Sequence, residues 1–90
     1  MSLRLKIAVE IKSFLNLSVI TDFYTALGQF LSYRLILREQ EPERLLFLAI
    51  PVDIYNSFFQ LLFTRTAIQD YQLKLIIYDY NNEVIVQWLK

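Results

Sequence analysis

Apolar and polar positions alternate with period two over residues 4 to 12, so that Ile7, Val9 and Ile11 share one face and Lys6, Ala8, Glu10 and Lys12 the other. That alternation predicts a first strand. The turn Asn16-Leu17-Ser18 follows, and from Ser18, a suitable N-cap, the period lengthens: Ile20, Phe23, Leu27, Phe30, Leu31 and Leu35 recur at helical spacing. The spacing predicts a helix to about Arg38 with these six residues as its buried stripe. Pro42 disfavours helical geometry in the residue before it, so the charged run around it ends the helix. Arg44 to Ile50 is then almost continuously apolar, as in a central parallel strand covered on both faces, and Pro51 closes it. Val52 to about Tyr71 reads as mainly helical, in two short helices broken near Phe63 and Thr64. Leu73 to Tyr78 and Val84 to Leu89 read as strands joined by a hairpin around Asn81-Asn82, because asparagine tolerates the left-handed turn conformation.

Strand, crossover helix and strand in this order predict an α/β fold: a mixed sheet with helices on its faces, in one domain over residues 1–90 with no linker. Composition agrees, since 56% hydrophobic residues with one glycine and two prolines leave room for little besides packed regular structure. The chain has no cysteine and no histidine, which excludes disulfides, thiolate zinc sites, histidine general bases and the usual nucleophilic triads. Nine basic residues balance nine acidic ones, which argues against a broad nonspecific nucleic-acid surface but leaves room for a local basic site. No uncharged apolar run approaches the ~18 residues of a membrane span. A soluble, cytoplasmic protein without membrane association is expected.

The charged residues inside the first strand ask for partners or a task, because charge is costly in a strand bound for a core. Glu10 and Lys12 lie two steps apart, roughly 6.6 Å, and can converge on one metal-bound phosphate. In a metal-dependent phosphodiesterase Glu10 would ligate a hard cation, the Ile11 carbonyl could add an oxygen, and Lys12 would stabilise charge on the attacked phosphate. Glu-x-Lys also suits an exposed, salt-bridged strand face, and by itself it does not choose between them. Gln29 and Tyr33 stack one helical turn apart, in line with Asp22 and Ala26, and could aim an amide and a phenol at the same site or simply mark an amphipathic edge. Gly28 costs a mid-helix position about 1 kcal/mol relative to alanine, which a close helix-to-sheet approach would explain. Arg34 and Arg38 complement the helix dipole or touch a phosphate. Asp79, Asn81, Asn82 and Glu83 lack the spacing of a calcium loop and read as turn chemistry. Tyr55, Phe58, Phe59, Leu62 and Phe63 read as a core stripe, and Trp88 as core or interface packing.

Longer segments carry more information. Lys6 to Leu15, Ala26-Leu27-Gly28-Gln29-Phe30 with Tyr33-Arg34, Pro42 to Pro51, Tyr71 to Ile76 and Glu83 to Trp88 together closely resemble the XisH family, the excision-controlling factors of the fdxN DNA element. The resemblance covers nearly the whole chain. It implies a restriction-endonuclease-like core of the PD-(D/E)xK superfamily, in which Glu10 and Lys12 match the second half of the signature and Gln29 and Tyr33 match the Gln-x-x-x-Tyr helix motif. It further implies a magnesium-dependent, DNA-directed fold acting with a companion excision factor, XisI, and indirectly with a site-specific recombinase in programmed DNA rearrangement. Family members place a helix and two strands bearing the metal-binding aspartate ahead of the Glu10 strand, whereas this sequence starts shortly before it and has no acidic residue upstream of Glu10. The resemblance therefore implies a form truncated at its N-terminus, with magnesium binding weak or absent and endonuclease activity impaired. Asp22 is the one residue of the following helix that could supply a migrated carboxylate. The expected outcomes are weak DNA binding by the chain alone and association with itself or with a companion through an uncovered sheet. Two alternatives stand beside the nuclease: a non-catalytic module that binds the companion factor, and a gene remnant.

Overall fold

The computed structural model describes residues 6–90. Four strands form one sheet in the order β1-β2-β3-β4, with β1 (Lys6–Ile11), β2 (Arg44–Pro51) and β3 (Leu75–Asp79) parallel and β4 (Val84–Leu89) antiparallel to β3. The expected β1, a reading over residues 4 to 12, is the described Lys6–Ile11; residues 4 and 5 lie outside the described residues. Three helices accompany the sheet: α1 (Val19–Gln40), α2 (Val52–Asn56) and α3 (Leu62–Asp70), with a 3-10 turn at Phe58–Gln60 between the last two.

α1 starts where its capping chemistry dictates. The Ser18 Oγ accepts the Thr21 amide at 3.3 Å, and Asp22 sits in the first turn. It runs two residues past the expected end, to Gln40, where the Glu41 amide still reaches the Leu37 carbonyl at 2.7 Å ahead of Pro42. Its buried residues are Asp22, Phe23, Ala26 and Phe30, with Leu27, Leu31 and Leu37 packed at the margin. Ile20 and Leu35 of the expected stripe are exposed, because apolar residues surround this helix and their spacing alone does not select a face. Gly28 is also on an open face: a methyl group added there would meet nothing within 4 Å, so no close approach accounts for it.

The segment 52–71 breaks at Ser57–Leu61 instead of near Phe63 and Thr64. The Ser57 hydroxyl and amide turn back to carbonyls of α2, and the 3-10 turn inserts Phe59 into the core. α3 ends in a Schellman motif, in which the Leu73 amide bonds the Ile68 carbonyl at 2.9 Å and the Gln72 amide bonds that of Gln69 at 3.3 Å, with Gln72 at φ 53°. In the β3–β4 hairpin the Asp79 carboxylate accepts the amides of Asn81 and Asn82 and the Asn82 side chain, and the left-handed residue is Glu83 (φ 55°), not an asparagine.

β2 is central and its residues from Leu46 to Pro51 are buried. Its two faces meet different surroundings. Leu46, Leu48 and Ile50 join Leu75 and Ile77 under Phe23, Ala26, Phe30, Phe59 and Ala67, so all three helices lie on that face. On the other face Phe47, Ala49 and Ile76 are covered only by neighbouring sheet side chains such as Ile7, Leu45 and Tyr78, and by the Trp88 ring edge-on to Phe47 at 5.2 Å. The expectation of helices on both faces is thus corrected: among the described residues, one face carries them all.

Candidate functional site

The C-terminal end of β1 and the connection that follows it hold the charged residues singled out above. Strand pairing continues past Ile11, because the Lys12 amide donates to the Ala49 carbonyl at 3.0 Å. Glu10 and Lys12 therefore stay on one pleat, on the helix-bearing side with Ala8, and both are half-buried. They do not form a salt-bridged strand face. Among the described residues the ion pairs are Lys6 with Glu43 at 3.7 Å and Arg44 with Glu41 at 3.0 Å, and neither Glu10 nor Lys12 has a side-chain hydrogen bond.

The connection after Lys12 is tightly held. Phe14 is buried at φ 59°, a left-handed conformation costly for a side chain of this size, and it packs edge-on against Phe59 at 5.8 Å. Asp22 restrains the same loop from α1. Its carboxylate, 2% exposed, accepts the Asn16 amide at 3.1 Å and the Asn16 side chain at 2.5 Å. The sequence suggested Asp22 as a migrated metal ligand, but its oxygens are engaged in closing the β1–α1 connection. Gln29 and Tyr33 are exposed on α1, and neither makes a hydrogen bond to Glu10 or Lys12.

The donor set decides how a hard cation would fare. Glu10 and the Ile11 carbonyl supply one carboxylate and one neutral oxygen, and no group of three His, Cys, Asp or Glu side chains among the described residues could hold a metal ion. Magnesium is held in near-octahedral geometry by one or two carboxylates with waters and substrate phosphates, and of that set these residues supply the minimum.

Two tyrosine and aspartate neighbours titrate away from their ordinary values. Burial pushes the Tyr78 phenol up, with the Asp53 and Tyr80 charges adding to it, and the Asn82 side chain with the turn amides holds the Asp79 carboxyl below the usual carboxylate range. Both belong to β3 and its turn.

The helix-free sheet face is a second candidate site; an uncovered sheet is expected from the resemblance, and the structure shows which residues form it. Ile7, Val9 and Ile11 of β1 join Ala49, Ile76, Tyr78, Ile85 and Trp88 in a shallow, almost wholly apolar depression. Ile11 is 68% exposed and Ile85 52%, so this surface is open to solvent. A bulge opposite Ile77 and Tyr78 keeps both Ile85 and Trp88 on it. No helix among the described residues is long and apolar enough to cross a membrane.

A family model described as XisH protein matches residues 3–86. The chain is similar to the crystal structure of an XisH family protein from Nostoc punctiforme, with 53% identity and a TM-score of 0.91, covering 93% of this chain and 66% of that one. It is likewise similar to the structure of an fdxN element excision controlling factor protein from Anabaena variabilis, with 52% identity, a TM-score of 0.90 and the same coverage. This chain thus spans just under two thirds of the length of either solved protein. No curated protein matches it.

Proposed function

This chain belongs to the XisH family, and from that premise we propose that it is an excision-controlling factor acting as a non-catalytic interaction module in DNA rearrangement. Its companion, an XisI-type protein, docks on the open face of the sheet. The observation that carries this reading is the uncovered apolar face of Ile7, Val9, Ile11, Ile76, Ile85 and Trp88. An apolar surface flanked by the edge of β1, which pairs with no other strand than β2 among the described residues, favours a protein partner, since burial stabilises by roughly 25 cal/mol per Å² and such an edge offers backbone groups for pairing. DNA is engaged weakly by the chain alone, in keeping with its zero net charge.

The test is co-purification and calorimetry with the companion factor, comparing the natural chain with Val9→Lys and Ile11→Lys. Both positions are exposed, so the variants fold, and association is expected to fall at least about tenfold, the equivalent of roughly 1.4 kcal/mol. Unchanged association of both variants would show that the partner docks elsewhere.

A second reading is supported by Glu10 and Lys12 sharing one pleat at the end of β1 beside a restrained loop. In it the domain is a restriction-endonuclease-like core whose remaining carboxylate comes from another chain, and magnesium acts only in that completed site. DNA cleavage in magnesium or manganese, abolished by Glu10→Ala and by Lys12→Ala, would favour this nuclease over the binding module.

A further inference from the structure

A cleft of about 190 Å³ opens between the C-terminal half of α1, the start of β2 and the α3–β3 connection. Its floor is Phe30, Leu37 and Leu46, and its polar wall includes Arg34, Arg38, Arg44 and Lys74. No acidic side chain lines it. In a chain of zero net charge, four of nine basic residues gather on one small concavity.

Two of the guanidinium groups are fixed before any ligand arrives. Arg34 donates to the carbonyls of Tyr71 (2.7 Å) and Gln72 (3.3 Å) and lies over the Phe30 ring, 5.4 Å from its centroid. Arg44 donates to the Ile7 carbonyl at 3.0 Å and to Glu41 at 3.0 Å, while its Nε is buried without a hydrogen-bond partner among the described residues. A guanidinium carries five donors, so each retains donors beyond these bonds. Arg38 and Lys74 make no side-chain hydrogen bond or ion pair with the described residues. Hydrogen bonds within the fold therefore account for Arg34 and Arg44, whereas Arg38 has only its place in the last turn of α1, and Lys74 has no such bond with the described residues. Glu41 offsets one charge, and the C-terminal ends of α1 and α3 disfavour an anion nearby, yet the Tyr71 and Gln72 carbonyls are taken by Arg34 and that of Leu37 by the Glu41 amide.

We infer that this cleft binds a phosphate group, with Arg38 and Lys74 as its adjustable contacts and Arg34 and Arg44 as its fixed donors. Its volume corresponds to roughly six waters at their share of liquid volume, enough for one phosphate and its bridging water. Arginine forks and a lysine suit tetrahedral oxyanions through charge-assisted bonds. Free phosphate and a nucleic-acid backbone present the same chemistry. The site is separate from the open sheet face, so its success or failure is independent of companion docking.

The test titrates inorganic phosphate into the natural chain and into Arg38→Gln/Lys74→Gln at low ionic strength, by calorimetry and by amide chemical shifts. Saturable binding with shifts around residues 34–46 and 72–74 is expected, weakened about tenfold or more in the double variant, as follows from losing two charge-assisted contacts. A short DNA duplex then competes. Displacement of phosphate assigns the site to the DNA backbone, with a salt slope shallower by about two in the double variant; phosphate binding without displacement assigns it to free phosphate. Absence of saturable binding of either ligand, or equal affinity in the double variant, would overturn the inference.

Discussion

Gly28 illustrates how a single residue can mislead when only its type is known. A mid-helix glycine invites the explanation of a close backbone approach, but an added Cβ here meets open space and the backbone is not left-handed. Gly28→Ala should therefore stabilise the fold by about 0.5–1 kcal/mol through helix propensity and a stiffer unfolded chain, measured by urea denaturation; destabilisation would reveal a contact on that face. Asp22 shows the converse. Its residue type suggested chemistry, whereas burial and two bonds to Asn16 make it the closure of the β1–α1 connection. Nothing in the local sequence separates these roles, because both need only an acidic residue in the first turn of a helix. Asp79 titrates below the ordinary carboxylate value through its turn bonds. A lowered native pKa means that its contribution is present above the unfolded value and is lost as pH falls through the native one. NMR titration should give an Asp79 midpoint below that of unstructured aspartate, and Asp79→Asn should remove this acid-side dependence from the hairpin.

At the scale of elements, most boundaries were legible because periodicity and capping residues act locally. Ser18 starts α1 as expected, the β2 run is a strand, and β4 spans the expected Val84–Leu89. The break in the segment 52–71 was misplaced because its cause is tertiary: Phe59 is drawn into the aromatic cluster with Phe14 and Phe23, and the chain turns at Ser57 to allow it. The end of α3 has a similar character. A Schellman motif usually has glycine at the left-handed position, and Gln72 occupies it at φ 53° with only its backbone engaged by Arg34. Gln72→Gly should raise the unfolding free energy by about 1 kcal/mol, since it relieves left-handed strain, and thermal melts would register the change. No comparable gain is expected from glycine at Ser57, where φ is −114°.

At the scale of the whole molecule, the three helices among the described residues lie on one side and leave the other side of the sheet, among those residues, to side chains alone. α1 adds to the imbalance, with Ile20, Tyr24, Leu35 and Ile36 exposed on its outer surface. Such a molecule should associate with itself when no companion is present. Sedimentation of the purified chain should show mass rising with concentration, and Ile11→Lys should suppress the rise with little change in melting temperature; a monomer at all concentrations would contradict self-association. The basic cleft at the start of β2, together with the helix-free sheet face, makes the surface chemically divided. One region suits an apolar protein partner and the other an oxyanion.

Sequence by itself determined the strand–helix–strand order, the capping of α1, the central place of β2 and, through long matching segments, the family. Those features depend on local periodicity, on short-range hydrogen bonds and on residue identities that need no third dimension. Only the tertiary structure decided which face of β1 meets the helices. Both faces of Lys6–Ile11 fit an alternating strand, and the choice is made by where α1 and the 3-10 turn deliver Phe23, Phe30 and Phe59. That placement puts Glu10 and Lys12 on the helix side and leaves Ile7, Val9 and Ile11 open. It likewise gathers Arg34, Arg38, Arg44 and Lys74, distant in the chain, around one cleft, because packing brings together residues whose spacing along the chain carries no sign of it.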